Sequence, residues 1–229
     1  MLNHPVTKSP HIHCGAPIRM NTENLFACLG LAPELLDAVT DLGYTQPTAV
    51  QAQAIPLALH DPDAETQNDL MVSSQTGSGK TAAFLLPVLH TLLAQQKAKQ
   101  AQEQKLWAEQ VAAAEAAGQP APKRARRKDP TNPRNFKPAV PGALVLCPTR
   151  ELAQQVAHDA IDLVKHCKGL RIACVVGGLP YAVQIARLQN ADLVVATPGR
   201  LLDLQRSHHL KLDQVQFLSL IHISEPTRR

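Results

Sequence analysis

Residues 74–81 read Ser-Gln-Thr-Gly-Ser-Gly-Lys-Thr, between a short apolar run, Asp69 to Ser73, and a stretch of helical periodicity that opens at Lys80. No other feature restricts the fold as much. Glycines let a backbone curl so that successive N–H groups converge on one point, and a helix starting there adds the positive end of its dipole. Strand, glycine-rich turn and helix in that order make a cradle for phosphate oxygens, with Thr76, Gly77, Ser78 and Gly79 supplying the backbone. Lys80 has the reach to pair with the β and γ phosphates of a nucleoside triphosphate, and the Thr81 hydroxyl has the chemistry to hold Mg²⁺.

The same alternation of strand and helix recurs along the chain. Residues 143–147, 171–176, 192–197 and 215–218 are short apolar runs that predict strands, as does 69–73. Helical patterns over 80–93, 150–166, 181–189 and 199–206 separate them. Buried strands alternating with helices imply an α/β parallel sheet covered on both faces. The composition agrees: hydrophobic residues make up 45% and aromatics only 3%, which suits Ala, Leu and Val helices on a sheet better than an aromatic-rich sandwich. Upstream, Pro33 occupies a first helical turn, Gly43 a stop, and Thr48 caps a second helix that Pro56 ends or kinks.

Residues 94–142 are too long for an ordinary connection and read as an insertion. The Ala, Gln, Lys and Glu of residues 94–117 favour helix. The Pro-rich, charged 118–138 favours disorder. The insertion holds ten Lys and Arg against four acids, a net +6, whereas the chain as a whole carries +4. A basic block on a near-neutral body fits a polyanionic partner, and Lys123-Arg124-Ala125-Arg126-Arg127-Lys128 is its densest part. The five cysteines show no Cys-x-x-Cys spacing and read as reduced thiols. No apolar run approaches the ~20 residues of a membrane span. Residues 1–20, rich in Pro and His, read as a mobile leader without a signal peptide, and a cytoplasmic protein is expected. His11, His13 and Cys14 within it lack a distant second pair and read as no metal site.

With the loop go further motifs. Gly43-Tyr44-Thr45-Gln46-Pro47-Thr48-Ala49-Val50-Gln51 has Phe26 seventeen residues before its glycine. Pro148-Thr149-Arg150-Glu151-Leu152, Gly177-Gly178 and Thr197-Pro198-Gly199-Arg200 each follow a strand. In this order the set resembles the DEAD-box ATP-dependent RNA helicases of superfamily 2, whose Q motif, Walker A loop and motifs Ia, GG and Ib it matches over residues 26–217. Ser74 stands where the Walker A consensus has its first glycine. The resemblance implies a RecA-like P-loop NTPase domain that binds ATP and Mg²⁺. Gln51 would read the adenine edge, and Tyr44 and Phe26 would pack on the base. It also implies RNA binding, blind to sequence, through Pro148, Thr149, Arg150, Gly177, Gly178, Thr197, Gly199 and Arg200. These hydroxyls, glycines and guanidinium groups suit phosphates rather than base edges.

The family's next element, a strand ending in Asp-Glu-Ala-Asp, does not follow. The chain reads Asp213-Gln214-Val215-Gln216-Phe217 and then Leu218 to Arg229 without those carboxylates. These last twelve residues match an in-frame translation of a transposon-end sequencing adapter, and the expectation is that 21–217 is a partial, incomplete domain and 218–229 a non-native tail. The polypeptide as written is expected to be inactive, with no catalytic residue present. Two other readings stand beside this one: a superfamily 2 translocase acting on DNA, and a non-catalytic nucleic-acid-binding protein using the basic insertion.

Overall fold

Four parallel strands form the centre of the molecule: β1 (Ala143–Leu146), β2 (Ile172–Val175), β3 (Leu193–Ala196) and β4 (Phe217–Leu220). They hydrogen-bond in the order β2-β3-β1-β4, with Ala143 of β1 level with Leu193 on one side and Phe217 on the other. This computed structural model describes residues 25–59, 69–116 and 137–221. Around the sheet run α1 (Pro33–Asp41), α2 (Ala49–Ala58), α3 (Lys80–Ala116), α4 (Arg150–Leu163), α5 (Tyr181–Leu188) and α6 (Pro198–Arg206), with a 3-10 turn over Leu25–Leu29.

Side chains alternate across a strand, so β1, β2 and β3 each feed two cores. Ala143, Val145, Leu193 and Val195 face one core, completed by Phe26, Leu35, Ile55, Leu86, Val156 and others from the 3-10 turn and α1 to α4. Leu144, Val194 and Ala196 face the second, with Leu188 of α5 and Leu201 and Leu204 of α6. Inner β3 is buried along its whole length, whereas edge strand β4 exposes Leu218 and Leu220. The layered α/β sheet inferred from the sequence is therefore present, and β1 to β3 fall within their predicted runs.

Local stops and starts follow from single residues. Gly43 takes φ +77°, its N–H bonds the Thr40 carbonyl, and the Tyr44 N–H reaches back to Val39. This is the Schellman end of α1. Thr48 and Gln51 form a reciprocal capping box at the start of α2.

Three expectations are corrected. Residues 69–73 form no strand, and Met71 is 94% exposed. A β-strand is held by its neighbours, and among the described residues no strand pairs with this segment or with the free edge of β4. The helix predicted over 80–93 does not stop there. It runs 37 residues to Ala116, because the Ala, Gln, Lys and Glu after Leu93 favour helix and contain no breaker. β4 starts at Phe217, two residues later than predicted, and extends into Leu218, Ser219 and Leu220. Residues 1–20, the polybasic run Lys123–Lys128 and most of the tail lie outside the described residues.

Candidate nucleotide loop and nucleic-acid groove

The 74–81 loop is tied to α2 through the side chain of Gln51. Gln51, 4% exposed, accepts the Thr48 N–H through Oε1 at 2.9 Å and donates through Nε2 to the Gly79 carbonyl at 3.1 Å. Gly79 has φ +84°, and a Cβ there would stand 2.5 Å from Gln51 Nε2. Only glycine fits that turn with Gln51 in place. Gly77 also takes a positive φ, +81°. The Ser78 N–H closes the turn on the Gln75 carbonyl at 3.3 Å, and the Ser74 and Ser78 hydroxyls meet at 2.6 Å. The Lys80 ammonium donates to the carbonyls of Ser74 and Gln75 and thereby sits inside the loop, half-exposed at the start of α3. Thr81 follows it on the first turn, half-buried.

The aromatic residues named from the sequence part company. Tyr44 is 44% exposed. Phe26 is fully buried in the main core, so its ring presents no open face to a base in this structure. Gln51 likewise has both ends of its amide engaged internally.

The second site is an open groove of about 670 Å³ where the chain leaves β1, β2 and β3. Ligands of open α/β sheets sit at this carboxyl edge of the strands. Pro148, Thr149, Arg150, Gly177, Gly178, Thr197, Gly199 and Arg200, the eight residues named from the sequence, all line it. Thr149 caps α4 by accepting the Leu152 N–H at 3.2 Å. The Arg150 guanidinium lies over the two glycines: a Cβ on Gly177 would approach it to 3.3 Å, and one on Gly178, where φ is +89°, to 2.9 Å. Arg200 stacks on Tyr181 with its guanidinium carbon 3.9 Å from the ring centroid. Its Nη1 is buried with no hydrogen-bond partner among the described residues.

Three residues here, Tyr181, Gln184 and Asp203, carried no sequence signal, while Glu151 stands within its quoted motif. Glu151 and Asp203 bring negative charge to the groove wall. Gln184, 1% exposed, donates through Nε2 to the carbonyls of Val176 and Leu179, both at 3.0 Å, and so grips the chain on either side of Gly177-Gly178. The Tyr181 hydroxyl donates to Asp203 at 3.1 Å. In the sequence Tyr181 and Gln184 are ordinary helix positions, and only the fold brings them to the diglycine turn and to Asp203.

Among the described residues the cysteines are free, and burial pushes the Cys147 and Cys167 thiols up to about 11. Thiolate, the reactive form, is scarce at such values, so these two are packing residues. No helix among the described residues is long and apolar enough to cross a membrane.

The family model of the DEAD/DEAH box helicases matches residues 48–221. The chain belongs to the DEAD/DEAH box helicases. It is 36% identical over 207 residues to the ATP-dependent RNA helicase DeaD of Escherichia coli (strain K12), covering 90% of this chain and 25% of that protein. To the ATP-dependent RNA helicase SrmB of Haemophilus influenzae it is 37% identical over 194 residues, 84% of this chain and 34% of that protein. This helicase-family chain thus spans about a quarter of the length of the DeaD relatives it matches. Among solved structures it is similar to S. cerevisiae Dbp5 bound to RNA and ADP BeF3, with TM-score 0.57 and 29% identity over 87% of this chain and 38% of that one. Prp28 of Chaetomium thermophilum bound to ADP gives TM-score 0.58 and 31% identity over 90% of this chain and 40% of that one.

Proposed function

We propose that this helicase-family chain is part of an ATP-dependent RNA helicase, holding ATP at the 74–81 loop and the RNA backbone across the 148–203 groove for local duplex unwinding. The observation that carries the reading is the groove, which gathers residues from three separate sequence motifs into one wall. Their chemistry is that of backbone recognition. Two guanidinium groups, two threonines and a diglycine turn suit phosphates and sugars, and none of the described lining residues carries a carboxamide side chain that would distinguish bases.

The loop fits a nucleotide phosphate in its donor set. Backbone N–H groups of Thr76 to Gly79 and the Lys80 ammonium are cationic or donating, and the Thr81 hydroxyl would hold the Mg²⁺ that shields phosphate charge during transfer. Lys80 would exchange the Ser74 and Gln75 carbonyls for phosphate oxygens. Gln51 would exchange its internal partners for adenine N6 and N7, Tyr44 would cover the ring, and Phe26 would support from the core. Cytoplasmic residence goes with this reading. The polybasic Lys123–Lys128 run would add RNA phosphates without sequence preference, each steepening the salt dependence of binding by ~0.7 for a single strand. Deletion of residues 119–138 should then flatten a plot of log affinity against log salt. Residues 218–229 we take to be foreign to the natural protein, which the uninterrupted genomic sequence beyond Phe217 tests directly.

The full-length protein decides the activity. RNA-stimulated hydrolysis with ATP and little with GTP is the expected result. Equal stimulation by DNA would favour a DNA translocase, and equal rates with ATP and GTP would remove the adenine role of Gln51.

A further inference from the structure

Arg200 and Asp203 lie three residues apart on α6, a spacing at which an acid and a base commonly pair across a helix surface. They form no ion pair. Asp203 instead accepts the Tyr181 hydroxyl at 3.1 Å, and Arg200 lies against the Tyr181 ring at 3.9 Å. One tyrosine therefore occupies the acid and supports the base. Arg200 forms no salt bridge among the described residues, and its Nη1 is a buried donor with no partner among them.

Tyr181 can do this because it is rigidly placed. Gln184, one turn later on α5, is tied to the carbonyls of Val176 and Leu179. Both partners are carbonyl oxygens, so only the NH₂ end of the amide can face them, and its orientation is fixed by chemistry. α5 is thereby anchored to the same Gly177-Gly178 turn that forms the groove floor, and Tyr181 at its first position is held over α6.

We infer that Tyr181 is a positioning residue of the groove: it holds Arg200 by stacking, keeps Asp203 from neutralising it, and so reserves the guanidinium for a backbone phosphate. This rests on the reading of the groove as an RNA-backbone site. Removing only the hydroxyl should release Asp203 to pair with Arg200. Removing the Asp203 charge as well should undo the damage.

The test uses the full chain and a fluorescein-labelled oligouridylate at low salt, with circular dichroism melts as a control for folding. Arg200→Ala should weaken binding about tenfold or more, since charge-assisted bonds are the stronger class. Tyr181→Phe should weaken it about threefold, the scale of a surface ion pair. Tyr181→Phe with Asp203→Asn should return to wild-type affinity, and Tyr181→Phe should have no further effect in an Arg200→Ala background. Loss with Arg200→Ala, but wild-type binding by Tyr181→Phe or no recovery with Asp203→Asn, overturns the inference and leaves the groove reading intact. Binding unaffected by Arg200→Ala, or absent in the wild type, overturns both.

Discussion

Gln51 on α2 donates through Nε2 to the carbonyl of Gly79, 28 residues away, while its Oε1 accepts the Thr48 N–H at the start of its own helix. A single buried amide thus caps α2 and pins the last glycine of the phosphate loop. The residue has two jobs that compete: the same two atoms that read adenine in the proposed function hold the loop in this structure.

Replacing Gln51 with Ala should therefore cost stability as well as nucleotide affinity. Losing the reciprocal cap and a buried hydrogen bond should destabilise the fold by about 1–3 kcal/mol. Gln51→Glu keeps an acceptor for Thr48 but loses the donor to Gly79, so it should retain part of the stability and lose nucleotide binding. Thermal unfolding alongside ATP titration measures both. Equal unfolding of Gln51→Ala and wild type would show that the Gly79 contact contributes nothing.

Gly178 offers a test of the groove floor. Its φ of +89° is strained for any residue with a Cβ, and that Cβ would stand 2.9 Å from Arg150 Nη1. Gly178→Ala should destabilise by about 1–3 kcal/mol through backbone strain. It should also push the guanidinium away and lower RNA affinity. Gly30→Ala is the control, because its φ of +75° carries similar strain, a Cβ there makes only an ordinary 3.8 Å contact with Leu59, and it lies outside the groove. Equal RNA affinity in the two variants would detach Arg150 from binding.

The motifs were legible in the sequence because their physics is local. Gly43 needs a left-handed turn, Thr48 meets its capping partner three residues on, and the β3 run Leu-Val-Val-Ala is apolar enough to name an inner strand by itself. What was not legible depends on partners far along the chain. Residues 69–73 have a strand's composition but no neighbour among the described residues. The change at Ala94 is one of polarity and not of helix propensity, so it marks where α3 leaves the core rather than where it ends. Residues 218–220 joined β4 because apolar residues there suit an edge beside β1, whatever their origin. The resemblance implies a base-packing role for Phe26, yet its burial is set by core residues from α1 to α4.

His90 gives the fold a pH dependence of known sign. Its Nδ1 accepts the Ala32 N–H at 3.0 Å, joining α3 to the start of α1, which requires the neutral ring at that atom. Half-burial, helped by the nearby Lys97 charge, lowers its pKa from the ordinary 6.5. A histidine with a depressed folded pKa contributes stability that is fully present above 6.5 and is lost as pH falls from there toward the folded value. Glu34, paired with Lys97 beside this contact, has its own pKa lowered by that ammonium and stays charged through the window. Midpoints of thermal unfolding should therefore drop for wild type between neutral pH and about pH 5. His90→Asn, which can still accept from Ala32, should show a smaller drop. Parallel curves would assign the pH dependence elsewhere.

The 229-residue polypeptide should bind ATP weakly and turn none over. Binding draws on groups that are present, the backbone of the 74–81 loop and Lys80, although Lys80 must first leave the Ser74 and Gln75 carbonyls. Turnover needs more. Phosphoryl transfer depends on positioning and on neutralising charge, with carboxylates to hold Mg²⁺ and to orient the attacking water. β4 lies beside β1 in the sheet, and the residue that follows its last paired position is Ile221, an apolar side chain packed on the main core. An isoleucine neither coordinates a cation nor orders a water, and no Asp-Glu-Ala-Asp tetrapeptide occurs anywhere in the 229 residues. Phosphate release at saturating RNA should stay at the buffer background, while equilibrium dialysis with labelled ATP detects binding that Lys80→Ala abolishes. RNA-stimulated release by this polypeptide would mean that carboxylates elsewhere in the chain serve the loop.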